Sequence, residues 1–309
     1  MEKTLQPLNN TDSENLESKQ AKKNKFIINF FNHLLLILGL GLTLFPFIWL
    51  ISTSLTPANE VFAWPPKLIP SKILFSNYID AIPRINFLNC LKNSLIVASI
   101  TTIIGLVFNT LAGYSLAKLR FPGRDIIFII ILATLMIPPQ VTVIPLFIIF
   151  RGFPLMGGND IFGQGGSGIV NTYFSLIIPG MASTFGVFMM REFFRMMPNE
   201  LLDAARIDGA NELGILTRIY LPLAKPALVA VGIFTFTYSW NDFFWPLIMT
   251  STPEMYTLQL GISFLKTQYF TDWQLLMALT VMSMVPVLIF YALFQRNFIQ
   301  GMAMSGIKG

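Results

Sequence analysis

The residue types that most often carry out chemistry in proteins are scarce in this chain. The sequence contains one histidine, His33, and one cysteine, Cys90. One histidine near the chain start cannot complete a Ser/His/Asp set, and one thiol excludes an intramolecular disulfide and a thiolate metal cluster. The sequence also has no Gly-x-x-x-x-Gly-Lys-Ser/Thr phosphate loop. We therefore expect a non-catalytic chain without a cofactor or metal of its own, in which His33 is a packing or interfacial residue.

The glycine-rich segment 157–168 does not have the setting of a phosphate cradle. It holds six glycines and no nearby lysine. A phosphate cradle follows a strand, opens a helix and usually supplies a lysine. We interpret the segment as a flexible connector. Whether it fits a particular external partner or is a simple insertion stays open.

The elements that position these residues are hydrophobic. Hydrophobic residues make up 54% of the 309 residues and charged residues 12%, about half the charged share of a soluble domain. Charge-poor stretches recur, each long enough for a helix across a hydrocarbon core of roughly 30 Å. None of them alternates with a period of two, as a strand would. The sequence thus predicts an all-α polytopic membrane protein with six transmembrane helices at about 27–51, 93–117, 126–150, 170–190, 224–249 and 275–297.

Lysine and arginine set the expected orientation. Most of them lie in the N-terminal tail, after the second and fourth spans, and at the C-terminus. By the positive-inside rule, these segments are cytoplasmic. We therefore predict a disordered cytoplasmic tail (1–25), a membrane domain (26–300) with a cytoplasmic loop at 191–223, and a cytoplasmic C-terminal tail (301–309). The net charge of +5 is attributed to this topology and to contact with anionic lipid, not to nucleic acid.

The cytoplasmic loop has the spacing of a short helix. Glu200 suits a first helical turn, where negative charge meets the positive end of the helix dipole. Glu200, Asp203 and Arg206 share one side, and Gly209 is free to take the left-handed conformation that ends a helix. A second helical piece is expected over 213–222. Because anionic lipid would repel a mostly acidic side, docking into a cleft of another protein is favoured over resting on lipid headgroups.

One acid, Asp242, interrupts the predicted fifth span. A charged group at bilayer depth costs about 2.5–3.5 kcal/mol, so it usually faces a bundle interior or water. One interpretation places Asp242 on a solute path or its external gate, where Asn241 offers hydrogen bonds and Trp240 an apolar stacking face. The other makes Asp242 an internal clamp that braces the fifth span against a neighbour. The sequence leaves both open.

The loop also carries a signature. Asp203-Ala204-Ala205, Gly209 and Ile219-x-Leu221-Pro222 follow the pattern Glu-Ala-Ala, three residues, Gly, nine residues, Ile-x-Leu-Pro, with Asp203 in place of Glu. The chain therefore resembles the permease subunits of binding-protein-dependent ABC importers. It is similar to the second permease subunit of maltose-type and glycerol-3-phosphate-type carbohydrate systems. Further matching stretches are Asn93-Ser94-Leu95, Phe121-Pro122-Gly123-Arg124, Ile137-Pro138-Pro139, Ile144-Pro145-Leu146, Trp240-Asn241-Asp242, Thr271-Asp272-Trp273 and Gln295-Arg296.

The resemblance implies a role for the loop. Its first helix would be a coupling helix seated in a separate ATPase subunit, whose ATP-driven closure rocks the spans between inward-open and outward-open states. The residues assigned to ATPase coupling are Glu200, Asp203, Ala204, Ala205, Asp208, Gly209, Ile219, Leu221 and Pro222. The family's C-terminal tail also contacts the ATPases, which assigns the same role to Ser305, Gly306 and Lys308.

The resemblance also implies the partners. They are a second permease subunit in a hetero-dimer, two ATPase subunits that hold ATP and Mg, and an extracytoplasmic solute-binding protein facing segments 52–89 and 151–171. The expected location is the plasma (inner) membrane of a prokaryote. The expected solute is a sugar, oligosaccharide, polyol or glycerol-phosphate-type compound.

Two alternative hypotheses concern transport without ATP. A secondary transporter pairs inverted repeats with ion-coupling acids at mid-membrane, whereas here Asp242 alone lies within a span and no repeat is evident. A channel subunit would not need the signature loop.

Overall fold

The computed structural model describes residues 10–266 and 271–305, with side chains described at 25, 27–266 and 271–295. Within these ranges the regular elements are helices, apart from an isolated antiparallel bridge between Lys266 and Thr271. The predicted all-α class is confirmed. The α-helices are α1 (Asn10–Ser54), α2 (Ser76–Arg84), α3 (Phe87–Lys118), α4 (Arg124–Ala133), α5 (Pro139–Arg151), α6 (Tyr173–Ile177), α7 (Thr184–Met196), α8 (Glu200–Ile207), α9 (Glu212–Ile215), α10 (Leu221–Leu223), α11 (Lys225–Asn241), α12 (Phe244–Met249), α13 (Leu258–Ser263) and α14 (Trp273–Ser305).

Four helical stretches of the described chain are long and apolar enough to cross a membrane. They are Ile27–Ser54, Phe87–Lys118, Tyr173–Met196 and Trp273–Gln295. These stretches correspond to the first, second, fourth and sixth predicted spans. Two further pairs of helices pass the same test together but are sharply bent. The predicted number of six spans is therefore reached only if each bent pair counts as one span.

The third predicted span, 126–150, is not a straight helix. The piece Arg124–Met136 and the piece Pro139–Arg151 meet at 103°. Ile137 and Pro138 between them have extended backbone, with ψ of 115° and 131°. A proline removes an amide donor and pushes the residue before it out of the helical region, so the pair Pro138-Pro139 breaks the helix. Hydrophobic length alone does not detect this change of direction.

The fifth predicted span, 224–249, has a bend at its start and a break in the helix near its end. The piece Glu212–Leu223 meets α11 at 82°. At the other end, α11 stops at Asn241 and α12 starts at Phe244. Asp242 between them is extended, with ψ of 121°, and its side chain accepts a hydrogen bond from a backbone amide. A short acidic side chain that bonds the local backbone competes with helix formation.

The predicted disordered tail, 1–25, is wrong from Asn10 onward, because α1 begins there. Residues 10–25 contain no glycine or proline and include two Glu, four Lys and one Gln, which have high helix propensity. The tail residues therefore continue the first span as one helix. Residues 1–9 lie outside the described ranges.

The bundle is organised around α3. It packs against α7 and α11, while α14 packs against α11, α1 and α2. One cluster of buried side chains, the loop cluster, joins α3, α7 and α11 to the segment between α7 and α11. Its members are Tyr114, Met190, Phe194, Leu202, Ala205, Ile215, Leu216, Tyr220, Ala224, Ala227 and Val231. A second, the α14 cluster, joins α3 and α11 to α13 and α14, and includes Phe236, Trp240, Leu258 and Leu279.

Candidate functional site

The predicted short helix in the loop is present as α8. Leu202 and Ala205 are 4% and 6% exposed and belong to the loop cluster. Ile207 on another side of the helix is 86% exposed. The other exposed residues of the helix and its end are Glu200, Leu201, Asp203, Ala204, Arg206, Asp208 and Gly209. Thus α8 buries one face in its own chain and presents apolar residues among charged ones on the other.

Helix α8 ends at a glycine with a left-handed backbone. Gly209 has φ of +78°. The amide of Gly209 donates to the carbonyl of Arg206 (3.1 Å), and the amide of Ala210 donates to that of Ala205 (3.0 Å). This pair of bonds is the Schellman motif, which satisfies the last helical carbonyls. The predicted helix end at Gly209 is confirmed, and no neighbouring atom lies within 4 Å of the position a Cβ would take there.

The second predicted helical piece returns the chain to the membrane. Asn211 caps α9 by accepting a hydrogen bond from the amide of Gly214 (2.7 Å). A π-helical segment, Leu216–Tyr220, and α10 follow. Of the signature residues here, Ile219 and Leu221 are half-buried and Pro222 is exposed. Ile219 packs against the loop cluster, so this part of the signature supports the loop from inside.

The start of the loop is attached to the end of α3. Lys118 donates from Nζ to the carbonyl of Met197 (2.6 Å) and to Oδ1 of Asn199 (2.8 Å). Tyr220 donates from its hydroxyl to the carbonyl of Pro198 (3.2 Å). Lys118 is only 6% exposed, and a buried ammonium must be hydrogen-bonded to offset its desolvation. These bonds fix the entry to α8 against the second span.

A second attachment runs from α3 through Glu212 to α8. The Tyr114 hydroxyl donates to Oε2 of Glu212 (2.9 Å), and Arg206 donates from Nε and Nη2 to Oε1 (2.9 and 2.6 Å). The hydrogen bond with Glu212 raises the pKa of Arg206 above its ordinary value. Sequence reasoning placed Arg206 only on a polar face and missed Glu212, Tyr114 and Lys118. The one signal in the sequence for the pair of Arg206 and Glu212 was that a basic residue precedes the turn at Gly209 and an acidic residue follows it.

The predicted solute-path residues fall in two different places. Trp240 is 1% exposed, stacks on Phe236 with ring centroids 5.8 Å apart, and donates from Nε1 to the carbonyl of Ser283 (3.2 Å). It lies in the α14 cluster and presents no stacking face, contrary to the prediction. Asn241 is exposed and Asp242 is partly exposed. Both line a cavity of about 530 Å³.

Asp242 makes a local bond within its own break. Its Oδ1 accepts from the amide of Trp245 (3.2 Å), and it thereby caps the first turn of α12. Asn241 donates from Nδ2 to the carbonyl of Thr237 (2.9 Å). Among the described contacts, the bond of Asp242 is to its own segment and not to a neighbouring span. Both interpretations of Asp242, the solute path and the clamp, stay predictions.

The predicted contacts of the C-terminal tail fall outside what is described. Helix α14 reaches Ser305, whose side chain is outside the described side chains, and Gly306 and Lys308 lie beyond the described residues. Their role stays a prediction.

The glycine-rich segment predicted as a flexible connector is a folded loop. Asn159 is 8% exposed; it donates from Nδ2 to the carbonyls of Arg151 (2.8 Å) and Phe153 (3.0 Å), and its Oδ1 accepts from the amide of Gly166 (2.7 Å). Gly168 has φ of +60° and sits against the end of α5. The glycines allow tight backbone approach here, not free motion.

Comparison with known proteins identifies the class. Residues 105–304 match the family described as binding-protein-dependent transport system inner membrane component. The chain belongs to this family, so it is a multi-pass permease component of the inner membrane. The resemblance predicted from the signature loop is confirmed.

Individual relatives agree with this assignment. The chain is 35% identical to the arabinooligosaccharides transport system permease protein AraQ of Halalkalibacterium halodurans, over 87% of this chain and 92% of that protein. It is 33% identical to the sn-glycerol-3-phosphate transport system permease protein UgpE of Yersinia pestis, over 92% and 99%. A chain of a bacterial ABC transporter that imports the acidic polysaccharide alginate superposes with a TM-score of 0.73 at 26% identity, covering 89% of this chain and 98% of that one.

Proposed function

We propose that this permease translocates a sugar or sugar-like solute and that α8 is its docking element for a separate ATPase subunit. The observation that carries the proposal is that α8 buries one face in its own chain and exposes the other. Leu202 and Ala205 anchor it in the loop cluster, while Ile207 is 86% exposed. An exposed apolar side chain on a rigid, acid-flanked helix suits insertion into a protein cleft, where an anchor residue carries much of the binding energy.

The contacts of the loop with α3 and α11 link movement of α8 to these two membrane helices. A push on α8 acts on α3 through Lys118 and through the path from Arg206 to Glu212 to Tyr114. It also acts on α11, because the loop cluster includes Ala227 and Val231. Closure of the ATPases would then favour one of two arrangements of the spans, and the solute would favour the other, as alternating access requires.

The remaining parts of the machine are proposed from the family and the named relatives. They are a second permease subunit, two ATPases that carry ATP and Mg, and an external binding protein. In this proposal the ATPases, and not this chain, supply the catalytic groups and hold the cofactor. The distribution of basic residues supports a cytoplasmic side for both termini, and the proposal assigns Ser305, Gly306 and Lys308 to contacts with the ATPases.

The solute path is proposed to pass Asn241 and Asp242. These two residues line the cavity at the break between α11 and α12. Broken helices at membrane depth are where transporters place polar backbone and side chains against a solute. Trp240 is left out of this path because it is buried in the α14 cluster.

The docking role is tested with a charge on the exposed anchor. The tagged chain is purified from native membranes, and co-purifying ATPase is quantified by mass spectrometry. We expect Ile207→Asp to lose the ATPase and binding-protein-stimulated ATP hydrolysis, while the variant is still inserted. The matched control for co-purification is Ile69→Asp, which alters an isoleucine 78% exposed in the segment 52–89 and should retain the ATPase. Unchanged ATP-coupled uptake by Ile207→Asp would reject the docking role of α8, whereas uptake by the unmodified chain that does not depend on ATP would favour a transporter or channel independent of ATP.

A further inference from the structure

The cavity at the break between α11 and α12 has an unusual lining for a membrane protein. Its volume is about 530 Å³, within the range of small-molecule sites. The lining combines aromatic rings with hydrogen-bonding groups and contains no lysine or arginine. The residues that line it are Phe234, Thr237, Tyr238, Asn241, Asp242, Phe243 and Phe244.

The cavity lies on a face of α11 that the described chain covers only in part, since Phe234 packs edge-on against Phe185. Phe234, Tyr238 and Asn241 follow one another at intervals of four and three residues, which places them on one helix face. Phe234 is 49% and Tyr238 71% exposed, whereas Phe236 and Trp240 on the opposite face are buried in the α14 cluster. A phenol and an amide are thus presented outward from a membrane helix.

Lipid is an unsuitable neighbour for this face. The 17 residues of α11 rise about 26 Å at 1.5 Å per residue, which is less than a hydrocarbon core of roughly 30 Å. A carboxylate within such a core faces a bundle interior or water. Unpaired backbone at a helix break is tolerated there only where it is buried in protein or lines an aqueous cavity. These requirements favour a position of this face toward the interior of the assembled transporter.

We infer that this cavity is a binding subsite for an uncharged, polyhydroxylated solute, and that it disfavours anionic sugars. The inference rests on the proposed function. The aromatic rings offer apolar faces for the C–H side of a sugar ring, and Tyr238 and Asn241 offer hydrogen bonds. Asp242 uses Oδ1 for the amide of Trp245, and a carboxylate has further lone pairs that can accept from a sugar hydroxyl. The same carboxylate repels a uronate or a phosphate, and the lining holds no basic side chain to offset it.

The substrate class therefore differs from that of two of the named relatives. One is named for glycerol-3-phosphate and another imports an acidic polysaccharide, whereas arabinooligosaccharides are neutral. Because the subsite favours an uncharged solute, we group this permease with the relative named for arabinooligosaccharides. Selectivity would then reside partly in this chain and not in the external binding protein alone.

The test uses two probes that differ in charge and share one carbon skeleton: trigalacturonate and its fully methyl-esterified form. Binding to the purified complete transporter is measured by saturation-transfer NMR in the absence of the external binding protein, so that delivery does not affect the result. We expect the neutral ester to bind at least about tenfold more tightly than the acid. Asp242→Asn, which keeps a side chain able to cap α12, should reduce this preference to less than about threefold.

Two further variants distinguish loss of the binding site from general loss of structure. Tyr238→Ala should weaken binding of the neutral probe about tenfold. The control Phe162→Ala, at a residue 78% exposed in the glycine-rich loop, should leave binding of that probe unchanged.

Equal affinity for the two probes, or an unaltered preference in Asp242→Asn, overturns the inference while ATP-coupled uptake upholds the proposed function. Loss of complex assembly in Asp242→Asn, with an unaltered preference in Tyr238→Ala, would assign the face to a permease–permease contact. Absence of ATP-dependent uptake by the unmodified transporter rejects the proposed function itself.

Discussion

The hydroxyl of Tyr114 is predicted to couple the loop to the second span. The substitution Tyr114→Phe removes this hydroxyl and keeps the ring, which packs edge-on against Phe194 and Tyr220 at centroid distances of 5.8 and 5.5 Å. The lost bond is the one to Glu212 (2.9 Å). A hydrogen bond to a charged group contributes about 1.5–3 kcal/mol. Since Glu212 is 42% exposed and water can replace the donor, we take the lower value.

The other bond of Glu212 contributes less. Arg206 and Glu212 are each 42% exposed, and exposed ion pairs contribute roughly 0–1 kcal/mol. Removing the buried phenol hydroxyl should therefore loosen α9 more than removing the arginine does. A loss of about 1.4 kcal/mol corresponds to a tenfold change in the local opening equilibrium.

The assay is hydrogen exchange with mass spectrometry on the assembled transporter, together with ATP hydrolysis measured with and without the external binding protein. We expect amides of 212–223 to exchange about tenfold faster in Tyr114→Phe, and binding-protein stimulation of ATP hydrolysis to fall while basal hydrolysis persists. Tyr78→Phe is the matched control, because it removes a phenol hydroxyl bonded to Ser54 Oγ at 2.7 Å in a distant part of the chain. Unchanged exchange in 212–223, or an equal change in Tyr78→Phe, would refute the reasoning.

Three further predictions concern single sites. Gly209→Ala should cost about 1–2 kcal/mol because of the left-handed backbone, with no clash, so amides at the end of α8 should exchange faster. Ala205→Leu overpacks the loop cluster at a cost of about 1–3 kcal/mol and should lower the Tm of the complex, whereas the exposed neighbour variant Ala204→Leu should leave the Tm unchanged and reduce ATPase co-purification. Asn159→Ala removes three hydrogen bonds of the glycine-rich loop and should make segment 153–168 readily cleaved by protease; equal resistance would contradict its bracing role.

Local signals in the sequence were sufficient for α8. An acid in the first turn, small and apolar residues in the middle and a glycine at the end specify a short helix without reference to the rest of the chain, and α8 spans Glu200–Ile207 with Gly209 at φ of +78°. The contacts that attach it are of another kind. Tyr114 and Glu212 are 98 residues apart, and Lys118 and Asn199 are 81 apart. No local pattern contains information about such pairs.

The misassignment of Trp240 has a simple geometric reason. Adjacent residues on a helix point about 100° apart, because 3.6 residues complete a turn. Trp240 therefore points into the α14 cluster while Asn241 borders the cavity. Proximity in sequence to Asp242 suggested a shared face that helical geometry does not allow. Hydropathy alone does not indicate the bend at Pro138, since it measures how long an apolar stretch is and not where its axis turns, whereas the proline pair itself favours a kink.

The dependence of α8 on the loop cluster has a consequence for assembly. A helix of eight residues is too short to be stable alone in water, since isolated helices below about 12–15 residues are marginal. Burial of Leu202 and Ala205 in the chain's own core therefore orders the helix before any ATPase arrives. Under the proposed docking role, an ATPase would meet an element that is already ordered, and binding would avoid the entropic penalty of ordering it, which can reach about 2–5 kcal/mol for segments that fold on binding. A permease whose loop cluster is damaged should consequently remain in the membrane as an unassembled orphan subunit, exposed to proteolytic quality control.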